Sequence, residues 1–366
     1  MGFVDLLLYT FQLGSMERLL DDQEYLESHD RDGMLSALTR FPLSAKMAIR
    51  DAEKLELNGI TKKINNLVAV GMGGSAVGGI LLRDWLRNIS KTPIFVSLGN
   101  SLPAWVDENT LVYAVSYSGN TEETLSQYHQ ALEIGCPLIC FSSGGELSKN
   151  ASLRKIPLVR FPKGYMPRGA IAFQFFGIAA VTRNLGLIGD DAWMEVEEAI
   201  GITESLSMEM GPEILTDSNF GKALAEKIKD YIPYVYGSSL YEGVAYRYST
   251  QLNENSKSPA SALFFPEAFH NSISAREAPP ELLEQVCALI IRDRLEEGTM
   301  AAKIDRFIEL IAERFGKVVE IEARGEGRLA RMISAMCIGD FASVYLGMLY
   351  GHDPSSNDSI DALKEL

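Results

Sequence analysis

The chain is short of the residues that hold metal ions or cross-links. Its four histidines, His29, His129, His270 and His352, are scattered through 366 residues, and none pairs with another at a zinc-ligand spacing. A metal-dependent chemistry is therefore disfavoured. Of four cysteines, only Cys136 and Cys140 lie close in sequence, and most sit inside apolar runs. They read as reduced core thiols, which fits a cytoplasmic setting. Positive charge is also scarce: 34 Lys and Arg stand against 49 Asp and Glu, a net charge of −15. A balance this acidic argues against nucleic acid as the main partner, because backbone binding needs a basic surface. Long hydrophobic runs are missing too. The apolar start, Gly2 to Gly14, is interrupted by Asp5, lacks a basic leader and is too short to span a bilayer. It reads as an upstream extension, with Met16 as an alternative start, and no membrane partner is expected.

What is present is a hydrophobic content of 46%, enough over this length for two packed domains. The expected fold class is α/β: two doubly wound parallel-sheet subdomains of three-layer α-β-α form, with a helical N-terminal lead-in and a C-terminal helix. The divisions fall at 1–60 for the lead-in, 61–190 for the first subdomain, 191–225 for linker helices and 226–366 for the second subdomain with its helix and tail. In the first half, apolar runs at Ile64–Gly71, Pro93–Ser97, Leu111–Val115, Pro137–Phe141 and Leu158–Phe161 alternate with helical patterns, as a parallel layer requires. Gly71, Gly73 and Ala76 also satisfy a G-x-G-x-x-A dinucleotide fingerprint. The next strand, however, ends in Leu98, Gly99, Asn100 and Ser101, without the carboxylate that would hold a ribose, so that reading is disfavoured.

The most informative stretch is Leu111 to Thr124, LVYAVSYSGNTEET. A buried-strand pattern ends in Ser116, Ser118, Gly119, Asn120 and Thr121, and a helix begins at Glu122. Hydroxyls and free helix amides at such a turn suit a phosphate. They equally suit a serine/threonine helix cap with Glu122 and Glu123 in the first turn. A second turn, Gly-Met-Gly-Gly-Ser-Ala at 71–76, places Gly74, where backbone approaches closely, beside the Ser75 hydroxyl. The loop Pro162–Gly169, PKGYMPRG, carries Lys163 and Arg168 beside the same proposed site. A solvated loop charge is the alternative for each.

The second half repeats the order. A strand at Tyr231–Tyr236 leads into a helix, and strands follow at Ser261–Phe265, Val286–Ile291 and Val318–Glu322. Gly73, Ser75 and Gly79 fall opposite Gly237, Ser239 and Gly243 at a constant offset of 164, so the second half reads as a duplicate. It lacks the hydroxyl turn, since Arg292, Asp293 and Arg294 stand there. It carries instead the polar clusters QLNENSKSP, with Glu254, and FFPEAFHN, with His270. Met332–Gly351 reads as a final helix, followed by a tail with Asp353, Pro354 and Lys364.

GMGGSA, SYSGNTEET, PKGYMPRGAI, NENSK, FHN and the closing GHDP and IDALK together resemble the archaeal-type bifunctional phosphoglucose/phosphomannose isomerases of the sugar isomerase (SIS) domain superfamily. The resemblance covers Met16 to Leu366. It implies two SIS domains, a homodimer whose active site is shared between subunits, and interconversion of glucose 6-phosphate or mannose 6-phosphate with fructose 6-phosphate without metal or organic cofactor. Carried over by position, Ser75, Ser116, Ser118 and Thr121 would hold the phosphate. Arg168 would lie near the developing enediolate and Glu254 would move the proton. His270 of the neighbouring subunit and Lys364 would assist ring opening. Ser272, where relatives often have an acidic residue, is a departure.

The chemistry of these residue types agrees. Aldose-ketose isomerisation removes a proton beside a carbonyl and returns it to the next carbon, which one reprotonatable carboxylate can do. A guanidinium stabilises the enediolate charge, and a histidine titrates usefully for ring opening. The competing class is a phosphosugar-binding regulatory module of the same superfamily, which needs the hydroxyl turn but not Glu254, His270 and Lys364. From the absence of a metal-ligand spacing, EDTA treatment is expected to leave turnover of fructose 6-phosphate unchanged. A loss restored by a divalent ion would overturn that expectation.

Overall fold

Strands that are apolar on both faces must be covered on both, and this requirement shapes both halves of the chain. The computed structural model describes residues 18–57, 60, 63–296 and 298–364; the segment expected as an upstream extension lies outside them. In the first half β1 (Asn66–Val70), β2 (Ile94–Ser97), β3 (Thr110–Val115), β4 (Leu138–Ser142) and β5 (Leu158–Arg160) form a parallel sheet in the order β2-β1-β3-β4-β5. In the second half β6 (Ile232–Ser238), β7 (Ser261–Phe265), β8 (Val286–Arg292) and β9 (Lys317–Glu322) are parallel in the order β7-β6-β8-β9. Strand order reverses beside β1 in one sheet and beside β6 in the other. Such a reversal opens a crevice at the carboxyl edge.

Among the described residues the α-helices of six or more residues are, in chain order, α1 (Gln23–His29), α2 (Met34–Thr39), α3 (Phe41–Glu53), α4 (Gly74–Leu86), α5 (Glu122–Ile134), α6 (Gly145–Leu153) and α7 (Ile171–Asn184). The second half adds α8 (Glu195–Met210), α9 (Phe220–Ile228), α10 (Glu242–Asn255), α11 (Gly298–Ala312), α12 (Arg328–Leu349) and α13 (Asp358–Lys364). Successive strand residues point to opposite faces, so each sheet feeds two cores. Val68, Val112, Ala114 and Cys140 pack outward against Tyr128 and Ala131 of α5 and Leu147 of α6. Tyr236, Ala288 and Ile290 pack outward against Ile304 and Phe307 of α11. The alternate residues, Ala69, Tyr113 and Phe141 of one sheet and Val235, Leu289 and Ile291 of the other, join one central core with α3, α4, α7, α10 and α12. All four cysteines are buried, and none of them forms a disulfide.

The centre of that core is α12. By length and composition it is apolar enough to cross a membrane, but 94% of its most apolar stretch is buried inside the protein. It begins four residues before the expected Met332, and the expected tail beyond it carries the further helix α13. Close approach between α12 and α10 rests on two glycines. A Cβ on Gly339 would meet the Tyr248 ring at 2.2 Å, and one on Gly347 would meet the Asn255 carbonyl oxygen at 2.4 Å. Between them Arg247 of α10 donates to Asp340 of α12 at 2.8 and 2.9 Å, with both side chains 1% exposed. Across the two halves, α4 and α10 meet where the Gly243 amide donates to Asp84 at 2.7 Å, beside paired Arg87–Glu242 bonds of 2.8 and 2.6 Å.

The duplication is visible in the strand orders, but the expected offset is two residues out of step. At the first corner a Cβ on Gly71 would press on the carbonyl of Ser75, and on Gly237 the same addition would press on that of Tyr241. Gly73 and Ser239 then match as the left-handed residues of the two corners, with φ of +50° and +44°. Matching glycine and serine letters aligned the wrong pairs, because Ser239 adopts a conformation usually left to glycine.

Gly347→Ala is expected to lower stability by about 1–3 kcal/mol, since its methyl group meets a backbone carbonyl rather than a movable side chain. Denaturant midpoints measure this, and an unchanged midpoint would contradict the packing described.

Candidate active site

At the carboxyl edge of the first sheet, adjacent strands β1 and β3 each run into a helix. β3 is buried throughout and delivers Ser116 at its end. The Ser116 hydroxyl accepts from the Gly119 amide at 3.0 Å and lies 2.9 Å from the Thr121 hydroxyl. Thr121 stands at the N-cap position of α5, yet its side chain makes no capping bond. The helix-cap reading of this turn is therefore not what the structure contains. Helix α4, whose N-cap is Gly73, likewise has no side-chain cap. Two uncapped helix starts at one crevice leave amides available to an anion. Ser75 is buried beside them, its hydroxyl accepting from the Tyr117 amide at 3.1 Å, whereas Ser118 is exposed.

The turn is locked from the β4 side. Gly119 has φ of +75°, and a Cβ there would lie 1.9 Å from the Gly144 carbonyl oxygen, so only glycine fits. Asn120 accepts from the Glu146 amide at 3.0 Å. Gly74 has a different reason to lack a side chain: a Cβ would sit 3.0 Å from the Arg168 Cα. The start of α4 and the turn carrying Arg168 are thus in backbone contact.

Arg168 is 2% exposed. Its Nε donates to Asn255 Oδ1 at 2.7 Å, and Nη1 donates to Asn357 Oδ1 at 2.6 Å and to Glu254 Oε2 at 3.2 Å. Nη2 donates to the Pro354 carbonyl, and the Arg168 carbonyl accepts from Arg247 Nη2 at 3.0 Å. Burial pushes the Arg168 guanidinium below the ordinary arginine value, against the pull of Glu254 and with the added push of Arg247. Glu254 lies in the last turn of α10 with its side chain 25% exposed, between the buried guanidinium and a cavity of about 950 Å³. Lys257, His352, Asp353 and Asn357 line the same cavity. Lys257 donates to the carbonyls of Glu254 and Ser356, and burial, followed by the nearby Arg168 charge, lowers its pKa.

The structure thus brings Arg168 and Glu254 together and ties them to the start of α4 with Gly74 and Ser75. Ser116, Ser118 and Thr121 occupy the adjacent strand end; they are not walls of the Glu254 cavity. His270 follows the turn Glu267–Phe269, is exposed, and also lies outside that cavity within one chain. Lys364 ends α13, the helix that follows the cavity-lining segment. Lys163 is exposed at the tip of its loop, its stem near Gly144. Asn357 escaped the sequence reading, and His352 and Pro354 lay inside the quoted GHDP motif without a role. Asn255 lay inside a quoted motif without a role. Among the described residues no cluster of three metal-ligating side chains occurs.

A family model described as the bacterial phospho-glucose isomerase C-terminal SIS domain matches residues 217–366. A bifunctional phosphoglucose/phosphomannose isomerase of Caldicellulosiruptor bescii is 35% identical over 334 residues, covering 90% of this chain and 98% of that one. Another, of Aquifex aeolicus, is 36% identical over 302 residues, covering 82% and 89%. The solved structure of a hypothetical protein of Thermus thermophilus superposes with a TM-score of 0.71 at 16% identity, over 99% of this chain and 95% of that one, a likeness of fold. With two parallel sheets of matching strand order and this identity over nearly all its length, the chain belongs to the bifunctional phosphoglucose/phosphomannose isomerase family.

Proposed function

We propose that the chain interconverts glucose 6-phosphate and mannose 6-phosphate with fructose 6-phosphate, an intramolecular redox exchange between C1 and C2 through a cis-enediolate. The observation that carries this reading is the contact of Glu254, which lines a cavity of about 950 Å³, with the buried Arg168 guanidinium. Glu254 takes the proton from one carbon and returns it to the other. In a cis-enediolate both carbons present the same face, so one carboxylate serves both transfers. Arg168 faces the oxygens on which negative charge grows. Because its other donors are already fixed by Asn255, Asn357 and Pro354, it needs little reorganisation as the charge develops.

The phosphate sits in the hydroxyl turn, held by Ser75, Ser116, Ser118 and Thr121 with the amides of α4 and α5 and the backbone at Gly74. Binding there orients the sugar toward Glu254, so phosphate contacts contribute to turnover as well as affinity. No organic cofactor or metal has a part in this scheme. His270 and Lys364 act on ring opening. The exposed position of His270, away from the cavity of its own chain, supports a homodimer in which each site takes its histidine from the other copy.

Glu254→Gln is expected to reduce kcat by about 10²–10⁴-fold, with folding and competition by inorganic phosphate retained. Near-normal turnover in coupled assays from fructose 6-phosphate would overturn the assignment of the base. Mixing separately inactive Glu254→Gln and His270→Ala chains, after dissociation and reassociation, is expected to restore activity in the hybrid. One of its two sites then carries both intact residues, and absence of any recovery would exclude the shared site.

A further inference from the structure

Tyr117 lies between two residues assigned to the phosphate turn, Ser116 and Ser118, and nothing in the chemistry above uses it. It is nevertheless the most connected residue of that turn. Its amide donates to Ser75 Oγ at 3.1 Å. Its carbonyl accepts from the Ser143 amide at 2.9 Å and the Ser143 hydroxyl at 2.6 Å. Its ring stacks on Phe161 at 6.4 Å with an interplanar angle of 14°. Its hydroxyl donates to the Pro162 carbonyl at 2.8 Å and accepts from the Tyr165 amide at 2.9 Å.

The last pair of bonds is unusual in what it replaces. Pro162, Lys163, Gly164 and Tyr165 bend the chain, with Gly164 at φ of +91°. In a hydrogen-bonded reverse turn the first carbonyl accepts directly from the fourth amide. Here the phenol oxygen bridges these two groups and holds the turn open. Three residues further on, Arg168 packs its backbone on Gly74 and its guanidinium against Glu254. A single residue of the hydroxyl turn therefore links the Ser75 and Ser143 corners through its main chain and the loop that delivers the arginine through its side chain. Burial raises the pKa of the phenol, so it remains a donor across the neutral range.

We propose that Tyr117 is a positioning residue that couples the hydroxyl turn to the Pro162–Arg168 loop, so that a bound phosphate and the backbone carrying the already bonded Arg168 guanidinium keep one register. The proposal rests on the reading of that turn as the phosphate site. Substrate phosphate orders residues 116–121, the Tyr117 ring moves with them as one unit, and its hydroxyl sets the loop. Without the hydroxyl, the Pro162 carbonyl and Tyr165 amide are free to bond directly. The turn then closes on itself and the loop toward Arg168 shifts, while the hydroxyls that grip phosphate keep their own bonds.

The test compares Tyr117→Phe with the unaltered protein, using fructose 6-phosphate for turnover and inorganic phosphate as the competing probe. Expected are a kcat at least ~10-fold lower and a phosphate inhibition constant changed by less than about twofold. An unchanged kcat, or equal losses in kcat and phosphate affinity, would overturn the proposal. A second measurement needs no variant: amide hydrogen exchange of the unaltered protein with and without saturating inorganic phosphate. Slower exchange at the Tyr165 amide on adding phosphate supports the coupling, and exchange there that ignores bound phosphate overturns it. If inorganic phosphate does not compete with substrate in the unaltered protein, the phosphate reading itself falls, and the proposal with it.

Discussion

A positive charge held almost entirely out of water is the constraint on which the rest of this structure depends. Burying a guanidinium costs several kcal/mol unless acceptors meet it with good geometry. Arg168 meets its requirement with Asn255, Glu254, Asn357 and the Pro354 carbonyl, drawn from the end of α10 and from the segment after α12. Those acceptors are themselves placed by packing. Asn255 also donates to Ser343 at 2.9 Å, and the glycine at 347 lets the two helices approach closely enough for that bond. Below them the Arg247–Asp340 pair fixes the rotation of α10 against α12, and Arg247 reaches on to the Arg168 carbonyl. The proposed function asks for a cation that meets a developing anion without rearranging, and a guanidinium built into the core answers that demand.

The two halves share a strand order but have diverged at the corner where ligands bind in such sheets. In the first half the corner after β3 carries the hydroxyls of Ser116, Ser118 and Thr121, and the adjoining helix starts have no side-chain cap. In the second, the residue after β8 is Asp293, which accepts from Tyr241 at 2.7 Å and from the buried Arg331 at 3.0 Å. A tyrosine, a carboxylate and a guanidinium satisfy one another there. The second half has a cross-link between β8 and α12 where the first half has a crevice, and its residues that meet Arg168 lie at the far end of α10 and after α12.

Much of this was legible in the residues. The strands carry buried, apolar runs whose ends fall within one or two residues of the sequence reading, because Gly and Pro mark them. The hydroxyl turn was legible because a run of Ser, Gly, Asn and Thr after a buried strand has few purposes. Three features were not. Asn357 and Pro354 meet Arg168 across 189 and 186 residues, and no local pattern announces a contact of that separation. Tyr117 resembled an ordinary aromatic at a strand end, since its role lies in a hydroxyl placed between two backbone groups of a distant loop. The internal repeat was read two residues out of step because amino-acid letters were matched where backbone shape is what has been kept.

The position of the arginine's last acceptors has a consequence for how the molecule is made. A ribosome emits Arg168 well before Pro354 and Asn357, and domains form largely in the order of their synthesis. Throughout that interval the guanidinium has no means of leaving water at acceptable cost, so the first sheet can assemble while its crevice stays open and hydrated. Only the arrival of residues 354–357 draws the charge inside. The wall around Arg168 therefore closes late in synthesis, and a chain that stops short of Pro354 lacks two of the guanidinium's four acceptors.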